Sequence, residues 1–291
     1  MDDAIIKADA LVEALGYIQR FHGKTIVVKV GGSVLDDDGH LSSILTDVGF
    51  MRYVGMQPIV VHGGGKAINA AMNEAGLEPQ MVQGRRYTDD RTLAIVEHVL
   101  CNVVNAQLVS FLNSQGVEAM GLHSLASPVL QAQKMLLPGD GGRQIDIGFV
   151  GEVTDVNRRL LELLVKANSV PVIASVARDP GGGALNVNAD TAAGAVAAAM
   201  QADKFVCVSD THGIRANPDD PDSVISSLTL AEVERMKADG TISAGMLPKV
   251  EACVTALHAG VKKAHIIDGR IPHALLLEIY TDAGIGTQIT L

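Results

Sequence analysis

The feature that most constrains this chain is a unit that occurs twice near its N-terminus. An apolar, mostly β-branched run ends in glycines, and a helical pattern follows. Residues 25–30 read TIVVKV before Gly31-Gly32, and residues 58–62 read PIVVH before Gly63-Gly64-Gly65. Runs that are apolar on both faces are typical of strands buried in a parallel sheet. The alternation predicts an α/β fold, a three-layer α/β/α sandwich around one largely parallel central sheet.

Hydrophobic periodicity extends this alternation along the rest of the chain. Helices are predicted at 8–20, 41–53, 66–75, 90–114, 156–167, 191–200, 229–238, 247–259 and 273–281. Further strands are predicted near 117–122, 129–136, 147–154, 171–177, 204–210, 264–268 and 286–291. The strongest break is the run DPGGG at 179–183. We expect it to separate an N-terminal lobe, 1–180, from a C-terminal lobe, 181–291.

Charge and composition exclude several classes of protein. The chain carries 23 Lys and Arg against 33 Asp and Glu, a net charge of −10, and only 3% aromatic residues. A nucleic-acid or anionic-membrane binder needs a basic face, so neither partner is expected. No uncharged apolar run reaches the roughly 18 residues of a membrane span, and early acidic residues argue against a signal peptide. The widely spaced Cys101, Cys207 and Cys253 are expected to be reduced and buried in a cytoplasmic protein.

Two successive glycine turns at strand ends suggest an anion site. Such turns bring backbone N–H groups to a phosphate or carboxylate, although they also simply permit tight turns. Neither a P-loop nor a G-x-G-x-x-G pattern is present. Lys29 lies inside the first strand, two residues before the glycines. A lysine there is costly to bury without a partner, so it either points into the glycine-lined cleft or reaches solvent at an edge.

Each of the other candidate residues has two possible roles, one structural and one functional. Asp190, in NVNAD, either caps the following helix or orients nearby lysines, and Asn186 could bind an anion or amide. Arg86, in GRRYT, is either half of a surface basic pair or a carboxylate clamp. Lys249, in GMLPKV, is either a solvated lysine or a site residue. The histidines form no ligand-spaced pair, so no metal site is predicted.

Taken together, six blocks resemble the ordered signature of the amino-acid kinase superfamily, and within it the N-acetylglutamate kinases. They are VKVGGS (28–33), VVHGGG (60–65), GRRYT (84–88), NVNAD (186–190), SDTHGI (209–214) and GMLPKV (245–250). The resemblance runs from about residue 10 to the C-terminus. It implies ATP-dependent phosphorylation of the γ-carboxylate of N-acetyl-L-glutamate in arginine biosynthesis. A carboxylate is already a nucleophile, which fits the absence of a base–nucleophile pair, and Mg²⁺ can be held mainly by ATP phosphates.

The resemblance also assigns roles to residues. By it, Lys29 and Lys249 neutralise the transferring phosphoryl group and Asp190 holds both lysines. Gly32 donates a backbone N–H to the phosphoryl oxygens. The residues expected to bind the acylated amino acid are Gly64, Gly65, Arg86 and Asn186, with Arg86 on the α-carboxylate. The residues expected to line the nucleotide site are Asp210, Gly213, Ile214, Arg215, Thr241, Ile242 and Ser243.

A regulatory layer follows from the same resemblance. The family divides into dimers without an N-terminal helix and arginine-inhibited hexamers, trimers of dimers, that have one. This chain has the helical pattern at 8–20, which could cap the domain or dock on another subunit. By analogy His265, Glu278 and Gly284 contact L-arginine, and Tyr17 couples it to the helix. The alternative is that His265 and Glu278 are ordinary packing residues.

Two segments depart from the common pattern and leave other functions open. His123-Ser124-Leu125-Ala126 stands where relatives carry a Ser-Gly-Lys-Asp-like turn, and Ser175-Val176-Ala177 replaces a Pro-Ile-Gly-like turn. Both lie near the expected acyl-substrate pocket, so a kinase for a related acid such as N-blocked α-aminoadipate is one alternative. One methylene is worth only about 1–3 kcal/mol of discrimination. A catalytically silent arginine or nucleotide sensor is another, although such a sensor has no need of the lysine pair.

Overall fold

A computed structural model describes residues 2–124, 127–243, 245–280 and 284–291. The strands are β1 (Thr25–Val30), β2 (Gln57–His62), β3 (Met81–Val82), β4 (Arg85–Arg86), β5 (Ala119–Leu122), β6 (Leu130–Pro138), β7 (Gln144–Val156), β8 (Val170–Ala174), β9 (Val176–Arg178), β10 (Ala184–Val187), β11 (Lys204–Ser209), β12 (Ser227–Thr229), β13 (Ala264–Asp268) and β14 (Thr287–Thr290). The helices are α1 (Asp2–Phe21), α2 (Asp38–Tyr53), α3 (Gly65–Glu74), α4 (Asp90–Glu97), α5 (Asn105–Ser114), α6 (Arg158–Lys166), α7 (Ala189–Met200), α8 (Leu230–Ala238), α9 (Leu247–His258) and α10 (Ala274–Ile279).

The central sheet is largely parallel, as predicted. It has eight strands in the order β12-β14-β13-β11-β1-β2-β8-β5. The β13–β14 pair is antiparallel, and the other neighbours run parallel. Parallel strands end at the same edge, so the glycine turns after β1 and β2 lie side by side there. That edge is where open α/β sheets bind ligands.

Helices cover both faces of this sheet, which confirms the three-layer architecture. Ile26, Val28 and Val30 of β1 join a core with α2, α3, α5 and α10. Val27 faces a second core, built with α6, α7 and α9. Because side chains alternate along a strand, Lys29 lies on the same side as Val27, toward α7. The strand period therefore turns the one charged residue of β1 toward the helix that carries Asp190.

A second, smaller sheet extends over the strand ends. Strands β10, β7, β6 and β9 form a closed barrel. The β6–β7 hairpin turns between Pro138 and Gln144. The break at 179–183 forms the turn between β9 and β10, which pair antiparallel. The division into lobes at 180 and 181 stays a prediction.

The structure changes several predicted elements locally. The helix predicted at 90–114 contains a π-helical segment, His98–Val104, between α4 and α5. The strand predicted at 171–177 is interrupted at Ser175, where the chain leaves the central sheet for the barrel. Helix α10 is shorter than the predicted 273–281, whose last residue lies outside the described residues. The short strands β3, β4, β10 and β12 were not predicted, because two to four residues carry no measurable periodicity.

One helical stretch, Asp90–Ser114, is long and apolar enough to cross a membrane by length and composition alone. Its most apolar window is 44% buried inside the protein. Leu100, Leu108 and Leu112 from this stretch belong to the core beside the sheet. A core helix therefore accounts for its composition. The three cysteines are buried and unpaired, as predicted.

Candidate active site

A cavity of about 300 Å³ opens at the carboxyl ends of β1 and β2, under the barrel. Among its lining residues are all eight that the sequence assigned to catalysis and to the acyl substrate: Lys29, Gly32, Gly64, Gly65, Arg86, Asn186, Asp190 and Lys249. These residues come from segments far apart in the chain. The fold thus brings the predicted set together in one place.

Two lysine ammonium groups in the cavity pair with one aspartate carboxylate. Lys29 Nζ lies 2.9 Å from Asp190 Oδ1, and Lys249 Nζ lies 4.0 Å from Asp190 Oδ2. Lys29 is 5% exposed and Asp190 is 7% exposed. Burial disfavours both charges, but their mutual attraction prevails: it raises the pKa of Lys29, and with Lys249 it lowers the pKa of Asp190. The site therefore holds a net positive charge at neutral pH.

The structure decides between the two readings of Asp190. The N-cap of α7 is Asn188, whose side chain accepts from the N–H groups of Asp190 and Thr191 at 2.9 and 3.1 Å. Asp190 lies in the first turn instead, and its carboxylate faces the lysines. The capping alternative for Asp190 is therefore wrong. The sequence could not separate the two because Asn and Asp are comparable caps.

Arg86 and Asn186 both line the cavity. Arg86, on the short strand β4, is half-buried and donates to Gly65 O at 3.3 Å and to Asn69 Oδ1. These bonds fix the guanidinium beside the second glycine turn. Asn186 Nδ2, on β10, donates to Thr88 Oγ1 at 3.2 Å. Both side chains are held by neighbours rather than left free in solvent, so the surface-pair reading does not describe Arg86.

A second, smaller cavity of about 110 Å³ collects most of the predicted nucleotide-site residues. Its lining includes Gly213, Ile214, Arg215, Thr241, Ile242 and Ser243. Asp210 is not among the residues that line it. Its carboxylate instead accepts from Ser33 Oγ at 3.4 Å, beside Gly32. Asp210 therefore lies next to the first glycine turn.

A third cavity, of about 570 Å³, contains the four residues that the sequence associated with arginine: Tyr17, His265, Glu278 and Gly284. Glu278 is buried, pairs with His265 Nδ1 and accepts from Ile285 N at 2.8 Å. Buried His265 Nε2 has no partner in the described part of the chain. The cavity also contains Lys204, which the sequence analysis missed. Lys204 is 8% exposed, and burial lowers its pKa to about 8 despite the opposing effect of Glu278.

The segment 123–126, which departs from the family pattern, is described only in part. Leu125 and Ala126 lie outside the described residues. Next to them, Ser124 O accepts from Arg178 Nη2 at 2.6 Å. In the other departing segment, Ser175 is buried and lines the first cavity. A signal for Ser175 existed in the sequence, since it breaks an apolar run at a strand end.

Comparisons with known proteins agree with this geometry. The model of the amino acid kinase family matches residues 24–268. An acetylglutamate kinase of Symbiobacterium thermophilum is 46% identical over 287 residues, which cover 98% of each chain.

Solved structures share the fold. N-acetylglutamate synthase from Neisseria gonorrhoeae, complexed with coenzyme A and N-acetyl-glutamate, superposes with a TM-score of 0.85 at 24% identity over 98% of this chain. This chain spans 63% of the length of that synthase chain, which has also been solved with coenzyme A and L-arginine. Carbamate kinase from Giardia lamblia bound to AMP-PNP has a TM-score of 0.63 at 15% identity, covering 92% of this chain and 98% of that one. From the family match and the full-length similarity, the chain belongs to the amino acid kinase family and, within it, to the acetylglutamate kinases.

Proposed function

We propose that this protein transfers the γ-phosphoryl group of ATP to the γ-carboxylate of N-acetyl-L-glutamate, giving N-acetylglutamyl phosphate and ADP. The observation that carries the proposal is the Lys29–Asp190–Lys249 cluster, in which Lys29 and Asp190 are buried. It lines a cavity that both glycine turns also line. Phosphoryl transfer depends on positioning and on positive charge around the equatorial oxygens. Two lysines on one carboxylate supply that charge in a fixed arrangement.

The chemistry needs no general base, because the attacking carboxylate is ionised at neutral pH. Lys29 and Lys249 would neutralise the phosphoryl oxygens as the bond to the leaving ADP breaks. Backbone N–H groups of Gly32 and Gly64 would donate to the same developing charge. Asp190 touches no substrate in this scheme and acts by holding the lysines.

Mg²⁺ supplies further charge neutralisation when it arrives with ATP. In the described residues no group of three or more His, Cys, Asp or Glu side chains could enclose a metal ion. This donor set fits an ion held chiefly by phosphates and water, with Asp210, beside Gly32, as the nearby carboxylate. No step assigned to the lysines depends on the ion's position.

Substrate choice rests on the groups around the glycine turns. Arg86 offers a planar fork suited to the α-carboxylate, and Asn186 offers an amide suited to the acetylamino group. Kinase activity on N-blocked α-aminoadipate and a silent sensor are not favoured, since full-length relatives are acetylglutamate kinases and the lysine cluster is intact. The test is ADP release by purified protein with Mg-ATP and N-acetyl-L-glutamate, N-acetyl-α-aminoadipate or free glutamate. Turnover on N-acetylglutamate that exceeds the other two supports the proposal, and turnover on neither acetylated acid refutes it.

We further propose that L-arginine inhibits the enzyme from the third cavity. Burial lowers the pKa of His265, so its imidazole is neutral and Nε2 can accept from a guanidinium N–H. Glu278 provides the opposite charge, and Lys204 the counter-charge for the ligand's carboxylate. Glu278→Gln should abolish inhibition and leave basal turnover unchanged. Inhibition that survives this substitution would refute the assignment.

We propose that the N-terminal helix assembles this protein into a homohexamer. The three unpaired, buried cysteines support the proposal that it acts in the cytoplasm, where thiols stay reduced. On α1, Leu11, Val12 and Leu15 lie on one face and are 68%, 71% and 49% exposed, whereas Tyr17 packs edge-on against Tyr280. An apolar stripe that this chain leaves uncovered favours docking on another subunit over capping of the domain. Light scattering should give a mass six times that of the chain, and Leu11→Asp with Val12→Asp should reduce it to a dimer. An unchanged mass would remove α1 from the interface.

A further inference from the structure

The second glycine turn rests on a buried pair of polar side chains that the proposed mechanism does not use. His62 is the last residue of β2 and is fully buried. Its Nε2 lies 3.0 Å from Asn105 Nδ2, and its Nδ1 lies 2.9 Å from the carbonyl oxygen of Gly63. The turn that contributes Gly64 and Gly65 to the cavity begins at this contact.

The carbonyl oxygen of Val172 determines which atoms donate and which accept in the hydrogen bonds that link Asn105, His62 and Gly63. Asn105 Nδ2 lies 2.9 Å from the carbonyl oxygen of Val172, which can only accept. The amide nitrogen of Asn105 must therefore face Val172, and its second N–H points at His62 Nε2. That nitrogen accepts, so the proton of the neutral imidazole is on Nδ1 and is donated to Gly63 O. Burial, with a smaller effect of His123, lowers the pKa of His62 to about 4, so the ring stays neutral.

The orientation of Gly63 O sets the direction of the next N–H. The chain contains no cis peptide bond among its described residues, and in a planar trans peptide the C=O and N–H point in opposite directions. With Gly63 O held toward His62, the Gly64 N–H points away from the ring, and Gly64 itself lines the cavity. This N–H donates to no other group in the described part of the chain.

The π-helical segment explains how Asn105 reaches this position. The Asn105 N–H bonds to Leu100 O, five residues back, and this wider turn places Leu100 and Val104 against Gly64. A Cβ on Gly64 would lie 2.8 Å from Leu100 Cδ2 and 3.3 Å from Val104 Cγ2. The π segment therefore packs on the turn and also delivers the amide that orients His62. Single π turns inside α-helices frequently mark functional sites.

We propose that Asn105 and His62 form a positioning relay that aims the Gly64 N–H at the substrate oxygens during transfer. The inference rests on the proposed function of the cavity. His62 touches Gly63 and not the substrate, so it is a positioning residue. If the contact were merely structural, loss of either ring hydrogen bond would affect catalysis to the same extent. In the relay, only the hydrogen bond from Nδ1 to Gly63 O orients the turn.

Two amide substitutions separate these halves, because each can replace one ring nitrogen but not both. In His62→Asn the amide nitrogen can occupy the Nδ1 position and still donate to Gly63 O, while the bond to Asn105 is lost. In His62→Gln a polar atom can reach the Nε2 position, while Gly63 O loses its donor. Both variants lose one buried hydrogen bond and are expected to unfold at lower temperature than the wild type. Loss of an oriented backbone donor predicts a kcat reduced about 10- to 100-fold in His62→Gln and less than about fivefold in His62→Asn, with the ATP KM within about twofold in both.

The control measurements keep the outcomes distinct. Equal kcat losses in the two variants, or losses that follow their melting temperatures, would overturn the relay. Should either variant fail to fold, ¹⁵N chemical shifts of the wild-type His62 ring decide the matter: protonated Nδ1 and bare Nε2 between pH 6 and 8 are expected, and the reverse tautomer overturns it. Absence of wild-type turnover on N-acetylglutamate would refute the proposed function, whereas the ring tautomer tests the relay independently.

Discussion

The energetic coupling between Lys29 and Asp190 gives the most quantitative prediction. Their charged atoms are 2.9 Å apart, and both side chains are nearly inaccessible to solvent. Lys29→Met leaves Asp190 with the more distant Lys249, at 4.0 Å, as its cationic partner. Asp190→Asn leaves two ammonium groups without their shared anion. The double variant Lys29→Met/Asp190→Asn removes both buried charges at once.

The magnitudes follow from burial and distance. At 2.9 Å the gross Coulomb attraction is about 6 kcal/mol for an effective dielectric constant of about 20, and desolvation offsets much of it. Removing one partner of a buried pair costs about 3–5 kcal/mol, because the remaining charge stays buried. Replacing both partners with neutral groups is often close to neutral. The double variant should therefore be more stable than either single variant, which requires a coupling energy of at least about 3 kcal/mol.

The assay is urea unfolding of the four proteins at pH 7.5, followed by circular dichroism. The pKa of Asp190 is lowered, so its contribution is present above the ordinary carboxyl pKa and is lost as the pH falls through the folded value. The pKa of Lys29 is raised, so its contribution is present below the ordinary lysine pKa and is lost as the pH rises through the folded value. Both contributions are complete at pH 7.5. Additive losses in the two single variants would refute the coupling and the role given to Asp190.

Three further outcomes are expected. Arg86→Lys keeps the charge but loses the planar fork, so the KM for N-acetylglutamate should rise about 10- to 100-fold with kcat nearly retained; a fall in kcat alone would contradict the clamp. Arginine inhibition should weaken as the pH rises through about 8, because Lys204 then loses its charge. In Lys204→Gln, inhibition measured over the same pH range should show no such change. Wild-type inhibition that is equally strong from pH 7 to pH 9 would contradict this. Gly121→Ala places a Cβ against Asn105 Oδ1 and should lower the free energy of unfolding by about 1–3 kcal/mol. The control is Gly76→Ala, at a position with open space but a positive φ. A smaller loss at Gly121 than at Gly76 would show that the Asn105 amide is loosely held.

The sequence predicted the architecture well where apolar runs are long. The strands at 25–30 and 58–62 and most helices are where the periodicity indicated, because burial of continuous apolar faces decides them. The barrel was poorly anticipated. Its strand β10 has only four residues, and its pairing with β7 joins segments more than 30 positions apart. Such pairing depends on tertiary contacts that local patterns do not contain.

The residues of the candidate site also differ in how well the sequence could predict them. Lys29 was identifiable because a charge inside an apolar strand needs a partner. The partner itself, Asp190, could not be distinguished from a helix cap until Asn188 was seen to occupy that role. The relay of His62 and Asn105 left no signal, since it requires a π turn to bring two distant segments together. Lys204 gave a weak signal of the kind seen for Lys29, a charge at the start of an apolar strand.

The most direct test of the central claim is detection of the acyl phosphate itself. The protein is incubated with Mg-ATP and N-acetyl-L-glutamate, and the product is trapped with hydroxylamine. We predict a γ-hydroxamate of N-acetylglutamate formed in equal amount to ADP, and its loss in Lys29→Met. ADP formed without hydroxamate, or hydroxamate formation that Lys29→Met leaves intact, would contradict transfer to the γ-carboxylate by this lysine cluster.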